Sequence, residues 1–594
     1  MTAPSVPTTR LLVLAVGPAR AFIAAAQCSQ DLLAGSEILA RLSRTGVNAL
    51  EAFGAKLVFP APDALGDPLA TVGNKMLVEI DSGVDPQILV AAATGAIRTQ
   101  WLRLARKGRE AAESKGVRVN QALWERQVRG FVQIYAAWTP AQEETLAYRQ
   151  VERLLSGRKA MRDFDAWIGP AEPEKSASSD GTSQSVILDA GSCASLRPGE
   201  ALDSVGLTKR FFPAREGYPA VTRVAADPLV RALAATGEDG ARLLADLHAA
   251  LGNPQRPGWP EGYKLLVDDA DALYGDENDT DEFRDPRARD VPARIRELSR
   301  RIRTEFHLRP SPYYAIVRAD GDRIGAHIDD LVSAAAWRKA AQCLADFARQ
   351  ARGSVLRFQG VPVYAGEDDI LAFAPVDTVL AMAHQLHLDF ERTVGSPLAA
   401  MSGSRTRPTL SVGVVIGHRQ DDMSKLLSLA ARAEQWAKQP GTLGDPWRLG
   451  SADDRQGDGL CLTCRTGSGA ELVTVRAPWR ENPARRLTEC VQWMQTGKLT
   501  PRTARDLEEL ARRYGSANRE DAAELMASDL RRLVAEDDAA SAALSADVEF
   551  RTARAHDVPR LAHLAHELLL ASHLVTVMRP CGGRIAMCQE EAPS

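Results

Sequence analysis

Apolar and polar positions divide the chain into two stretches that read strand, helix, strand, strand, and a remainder that reads mostly helical. In the first stretch LLVLAV (11–16) is an unbroken apolar run of strand length. PARAFIAAAQCSQDLLAGSEILARLSRTGVNALEAFG follows as helix with an interruption near Gly35-Ser36, and KLVFPAP and NKMLVEID supply two more strands. Residues 86 to 165 read as helix-rich, with Trp101, Leu104 and Ala105 at helical spacing. From residue 312 the order returns. YYAIVRADGD is a strand, DLVSAAAWRKAAQCLADFARQAR a helix, VPVYA and DILAFAP a hairpin, TVLAMAHQLHLDFERTV a helix, TLSVGVVIGH a strand and MSKLLSLAARAEQWAKQ a closing helix.

Two units of this order predict an α+β multidomain protein with two ferredoxin-like sandwiches, the architecture of polymerase palms. The expected division is 1–86 for a first palm-like domain, 87–308 for a mostly helical insert, 309–480 for the second palm and 481–594 for a helical C-terminal domain. GPAEPEKSASSDGTSQ (169–184) reads as a loop or disordered segment. The acidic run DDADALYGDENDTDEFRD lacks the glycine at position six and the closing glutamate of a calcium loop, and reads as solvated.

Composition adds limits. At 594 residues the chain exceeds a single core, and a net charge of −4 means that any nucleic-acid groove must be local. Eight scattered cysteines fit a reducing cytoplasm. The opening apolar run ends at Gly17-Pro18 and reads as a buried strand, not as a signal peptide; no run of about 18 apolar residues exists to span a membrane. The expectation is a soluble cytoplasmic protein.

The candidate chemistry is carboxylate. Strand YYAIVRADGD ends in Asp320-Gly321-Asp322, and the hairpin turn carries Gly366, Glu367, Asp368 and Asp369. In the β-α-β-β order these lie on neighbouring strands, so Asp320, Asp368 and Asp369 converge at one sheet edge. Side chains alternate along a strand, so Asp368 and Asp369 share a direction only if the turn twists one round. Like charges gathered there need cations, and oxygen ligands without His or Cys suit Mg²⁺ (or Mn²⁺) shared with substrate phosphates. Lys438, at the end of the closing helix, is placed to face back toward that edge and meet a triphosphate; Lys425 is a weaker candidate.

At this point the sequence resembles the large, polymerase/cyclase-like subunit of type III CRISPR effector complexes, in its Cmr (III-B) branch. The resemblance is carried by VGPARAFIAAAQCSQDLLAGSEILARL, LVFPAP, VGNKML, RKAMRDF, KSASSDG, GEALDSVGLTKR, ADGDRIG, the GEDD hairpin, SVGVVIGH and the AEQWAK helix. It implies a crRNA-guided antiviral complex in which target RNA switches on a palm that joins ATP through 3′–5′ linkages into cyclic oligoadenylate. It implies metal ligation by Asp320, Asp368 and Asp369 near the Gly321 carbonyl, Asp322 as a helper, and Ser36 and Asn74 as nucleotide contacts. The implied partners are a guide 5′-end-binding subunit, backbone subunits, small helical subunits, crRNA and target RNA.

The sequence departs from the family in places. Leu11 begins the first palm strand and the first histidine is His248, so an HD nuclease domain and DNase activity are not expected. Only Cys193 lies in the insert, and Cys461-Leu462-Thr463-Cys464 reads as strand, so no zinc is expected. His556, His563, His566 and His573 fall on one helical stripe, read as a seam against a partner subunit. Two basic clusters, Arg158-Lys159 with Arg162 and Lys209-Arg210, are candidates for RNA or subunit contact. Glu367 stands where relatives have glycine. A type II′ turn with Gly366 at its first central position tolerates it, so Glu367→Gly is expected to leave activity equal or higher. The alternatives are a palm without chemistry that serves as a scaffold, a stand-alone dinucleotide cyclase of the GGDEF class, and a palm joining ATP to a different second substrate.

Overall fold

The computed structural model describes residues 9–66, 72–140, 144–161, 183–212 apart from 194 and 198, 220–250, 293–438, 457–465, 472–515 and 558–588, together with Ala177, Leu273, Tyr274, Ser528 and Asp529. Arg162, His556, nearly all of the 169–184 segment and nearly all of the acidic run lie outside the described residues.

The first sheet contains β1 (Thr9–Gly17), β2 (Lys56–Phe59), β3 (Lys75–Asp81) and β4 (Gln133–Pro140), ordered β2-β3-β1-β4 and antiparallel throughout. This is the ferredoxin-like order predicted. Leu12, Leu14 and Val16 of β1 pack with Ile38 and Leu42 of α1 (Ser29–Glu51) and with Trp101 of α2 (Pro86–Ser114). Leu11, Val13 and Ala15 enter a second core with Trp337 and Phe347 of the other palm. A strand covered on both faces has no polar face, which is why this one reads as an unbroken apolar run.

Residues 86–165 are helix-rich as expected but also supply strand β4, which carries the first sheet past the boundary set at residue 86. QIYAAWTP is a strand because β1 offers it a full antiparallel edge, from Arg10↔Pro140 to Gly17↔Gln133. Helices α3 (Glu144–Ala160) and α4 (Ser204–Arg210) follow.

The second sheet contains β5 (Tyr313–Asp322), β6 (Val361–Gly366), β7 (Asp369–Ala374), β8 (Thr409–His418), β9 (Gly459–Arg465) and β10 (Leu472–Pro478), ordered β10-β9-β8-β5-β7-β6. Ala315, Val317 and Ala319 face α5 (Ala334–Arg357) and α6 (Val379–Phe390). Tyr314 and Ile316 face α7 (Met423–Lys438) on the other side. Helix α7 lies directly on β8 because Gly413 has no side chain; a Cβ there would stand 2.3 Å from the Glu434 nitrogen. That approach brings Glu434 and Lys438 over the end of β5.

Two expectations from the sequence change here. Lys209 and Arg210 are buried and are not an RNA-facing patch. Lys209 Nζ donates to the carbonyl oxygens of Phe22, at 2.6 Å, and of Ala25, and Arg210 pairs with Asp31 and Glu200, both at 2.8 Å. Adjacent basic residues read as a solvated face; here they clamp α4 onto α1. His563, in α8 (Val558–Met578), is fully buried and donates from Nε2 to the Arg476 carbonyl oxygen at 2.7 Å. With the Arg486–Glu567 ion pair beside it, this part of the histidine stripe is a seam within the chain, not against a partner. Cys461 and Cys464 are both fully buried but in different cores, on opposite faces of β9, so they cannot grip one ion together.

Candidate functional site

The site is set by register. Strands β5 and β7 pair antiparallel up to Ala319↔Ile370, so one step further Asp320 stands across from Asp369. Gly366 pairs with Asp369 to close the β6–β7 hairpin, leaving Glu367 and Asp368 as the two central turn residues. Glu367 takes the left-handed φ of 56°. Gly366 does not, so the positive-φ position falls one residue later than expected. The pattern still matches a type II′ turn, with a glutamate in the glycine position.

Each acid has a different partner. Asp320 Oδ2 accepts from Lys438 Nζ, which also lies 3.8 Å from Asp322 and 3.8 Å from Glu434. Burial works against the charge of Lys438, but the hydrogen bond to Asp320 and the negative charges of Asp320, Asp322 and Glu434 together outweigh it and hold the ammonium above the ordinary lysine range. Asp322 is buried, and its Oδ2 accepts from Ser411 Oγ at 2.8 Å, Thr409 Oγ1 at 3.0 Å and the Asp458 N–H at 3.0 Å. The hydroxyl bonds tie the end of β5 to β8. Asp368 lies against Gly321, where a Cβ would come within 2.9 Å of its side chain, so only glycine leaves room for it. Burial pushes the Asp368 carboxyl up to about 7, with the negative charges of Asp320 and Glu367 adding to the effect.

Asp369 lines a cavity of about 490 Å³ between the two palms. The second palm contributes Arg318, Tyr364, Leu371, Ser424, Leu427 and Ser428; the first contributes Ile23, Leu39, Val72 and Asn74. Asn74 is held there by two bonds to Val16: its Nδ2 donates to the Val16 carbonyl oxygen at 2.7 Å, and its own carbonyl accepts the Val16 N–H at 2.8 Å. Arg318, two residues before Asp320 and on the same strand face, lines the cavity and pairs with Glu434. Its place in the alternation could have flagged it. The sequence reading also missed Tyr364, Ser424 and Ser428. Ser36 is buried within α1 and lines no part of this cavity, and Lys425 is exposed beyond it.

Among the described residues no three His, Cys, Asp or Glu side chains close around one point that could hold a metal ion. Lys438 engages Asp320, and hydroxyls engage Asp322. The donor set nevertheless fits a hard cation. The charge of Asp320 adds to the cost of ionising Asp368, and surplus negative charge among oxygen donors is what Mg²⁺ or Mn²⁺ relieves.

Residues 313–442 match the family model of the Cas10/Cmr2 second palm domain. The CRISPR system Cmr subunit Cmr2 of Pyrococcus furiosus is 29% identical over 148 residues, a stretch covering 20% of this chain and 16% of that protein. A type III-B Cmr-beta structure in the apo state aligns at TM-score 0.62 with 13% identity, covering 88% of this chain and 77% of that one. Type III-B Cmr-beta bound to cognate target RNA aligns at TM-score 0.62 and 13% identity over 89% and 78% of the two chains.

Proposed function

We propose, from the premise that this chain is a large Cmr-type subunit of the Cas10/Cmr2 family with its second palm in residues 313–442, that its interpalm cavity joins ATP molecules into cyclic oligoadenylate within a crRNA-guided complex. The observation that supports this most directly is Asp369 on the wall of a roughly 490 Å³ cavity that both palms line, with Asp320 across from it on β5 and Asp368 beside it in the turn. That volume is within the range of small-molecule sites.

In this reading Asp320, Asp368 and Asp369 hold two Mg²⁺ ions (or Mn²⁺), and Asn74 and Arg318 face the nucleotide. Bound there, the ions would lower the pKa of a 3′-hydroxyl and neutralise the leaving pyrophosphate. Lys438 is the chain's own cation at this edge, and it passes from Asp320 to the triphosphate when substrate enters. Ile23, Leu39, Val72 and Leu427 give the cavity apolar walls that exclude water from the reacting phosphates. The 3′ oxygen of one ATP attacks the α-phosphorus of another, the bond to the bridging oxygen breaks, and pyrophosphate leaves.

The partners in this reading are the guide 5′-end-binding, backbone and small helical subunits, with crRNA and target RNA; no zinc is called on. The test is the assembled complex with ATP, Mg²⁺ and complementary target RNA, followed by mass analysis of the product. Cyclic oligoadenylate from wild type and none from Asp320→Asn or Asp369→Asn, with RNA binding intact, is the expected result. Bound RNA without any nucleotide product or pyrophosphate makes the chain a scaffold. A product carrying a second metabolite overturns the choice of substrate.

A further inference from the structure

Glu367 is the one turn acid that this site leaves without a role, and its surroundings belong to the other palm. Its carboxylate lies on Gly73, where a Cβ would stand 2.2 Å from Oε1 and 2.8 Å from Cδ. Gly73 begins the segment Gly73-Asn74-Lys75 that carries Asn74 to the cavity wall and starts β3. Lys75 Nζ pairs with Glu152 of α3 at 3.0 Å and is electrostatically coupled to Glu367 and to the buried Tyr148. Tyr148 in turn packs on Trp337 of the second palm, with ring centroids 5.2 Å apart. Arg349 and Arg352 of α5 line the same narrow groove as Gly73 and Glu367.

A solvated side chain would not account for this arrangement. Glutamate at φ 56° carries a backbone cost of roughly 1–2 kcal/mol that glycine would avoid. The side chain projects out of its own domain into a fitted position, against a residue with no side chain and within the electrostatic field of Lys75. Loss of that lysine would leave Glu152, Tyr148 and Glu367 crowded together.

We propose that Glu367 is a positioning residue that latches the catalytic hairpin to the Gly73–Lys75 segment of the first palm. The two walls of the cavity, Asp369 on one side and Asn74 on the other, are thereby held at a fixed spacing. This rests on the nucleotidyl-transfer reading above and reverses the expectation that glycine at 367 leaves activity equal or higher. The latch acts on the chemical step through geometry, so its loss falls on kcat more than on KM.

The experiment uses the full chain in its assembled complex and compares Gly73→Ala, Glu367→Gly, Glu367→Gln and Lys75→Met with the doubles Gly73→Ala/Glu367→Gly and Lys75→Met/Glu367→Gln. Gly73→Ala puts a methyl group where the Glu367 carboxylate lies. It is expected to lower kcat about tenfold with KM for ATP changed less than about twofold. In the Glu367→Gly background, where nothing occupies that space, the same substitution is expected to be silent. Lys75→Met and Glu367→Gln are each expected to lower kcat, and their double to be no worse than the more severe single, because they remove one shared interaction.

The same variants are read by thermal unfolding, which needs no catalysis. If wild type makes no nucleotide product but Gly73→Ala lowers the melting temperature only when Glu367 is present, the reaction reading fails and the latch stands. Effects of Gly73→Ala that are equal in both backgrounds, or additive effects of Lys75→Met and Glu367→Gln, overturn the latch.

Discussion

Lys438 is the place where the charge arrangement makes its sharpest prediction. Lys438→Met keeps the aliphatic stem and removes the ammonium that now bonds Asp320 and lies 3.8 Å from both Asp322 and Glu434. The three acids do not suffer equally. Asp322 keeps its Ser411, Thr409 and Asp458 donors, and Glu434 keeps Arg318. Asp320 loses its principal cation with Asp368 close by. Breaking a buried pair costs about 3–5 kcal/mol, and because Lys438 keeps 26% of its side chain exposed the low end applies, about 3 kcal/mol. For a cooperative unit of about 150–250 residues that is a fall of roughly 6–12 °C in the unfolding temperature.

Magnesium separates this account from simple loss of packing. In the wild type a cation must displace Lys438 from Asp320; in Lys438→Met that ammonium no longer competes for the carboxylate. Ligand binding to the native state stabilises by RT ln(1 + [L]/Kd), so a tighter Kd appears as a larger thermal shift at the same Mg²⁺ concentration. The assay is thermal unfolding in EDTA and then across a Mg²⁺ titration without ATP. The variant is expected to be the less stable protein in EDTA and to recover much of the difference in Mg²⁺. Parallel Mg²⁺ titrations of the two proteins would refute the idea that Lys438 holds the cation position at Asp320.

Two other substitutions have definite signs. Asp368 has a folded pKa of about 7, above its unfolded value, so ionising it opposes folding; the penalty is fully present above pH 7 and vanishes as pH falls toward the unfolded carboxylate range. In EDTA, Asp368→Asn is therefore expected to be more stable than wild type at pH 8, with the gap closing toward pH 4 in parallel melts. Arg210→Ala leaves Asp31 and Glu200 buried without their guanidinium, at a cost of about 3–5 kcal/mol by denaturant melt. The salt dependence of RNA binding by the complex should be unchanged, because this arginine does not face solvent.

Much of the second palm was legible because its signals are local. Alternation placed β5, the hairpin and β8, and a helix of the length of α7, read forward from its start, put Lys438 at the acid edge. What was not legible depends on neighbours distant in sequence. QIYAAWTP becomes a strand only because β1 has an unpaired edge more than a hundred residues upstream. Lys209-Arg210 becomes core only because Asp31, Glu200 and two carbonyl groups of the Phe22–Ala25 turn converge on it. The turn was misread by one residue for a similar reason. Pairing of β5 with β7 fixes where β7 begins, and that moves the positive φ from Gly366 to Glu367.

The Asp320-Gly321-Asp322 triplet shows how finely such neighbours discriminate. Its two aspartates point to the same face of one strand, two residues apart, and the sequence treats them alike. Strand β8 does not. Its register sets Thr409 across from Asp322 and Ser411 across from Asp320, and both hydroxyls turn to Asp322. The Asp458 N–H completes three donors on a single oxygen, which ties that carboxylate into the sheet. Asp320 is matched with a long-stemmed lysine that α7 delivers because Gly413 lets the helix settle on the strand. A carboxylate paired with a flexible cation can exchange that cation for another, whereas one held by three fixed dipoles cannot. The division of labour in this motif therefore lies in TLSVG of β8 as much as in ADGD of β5.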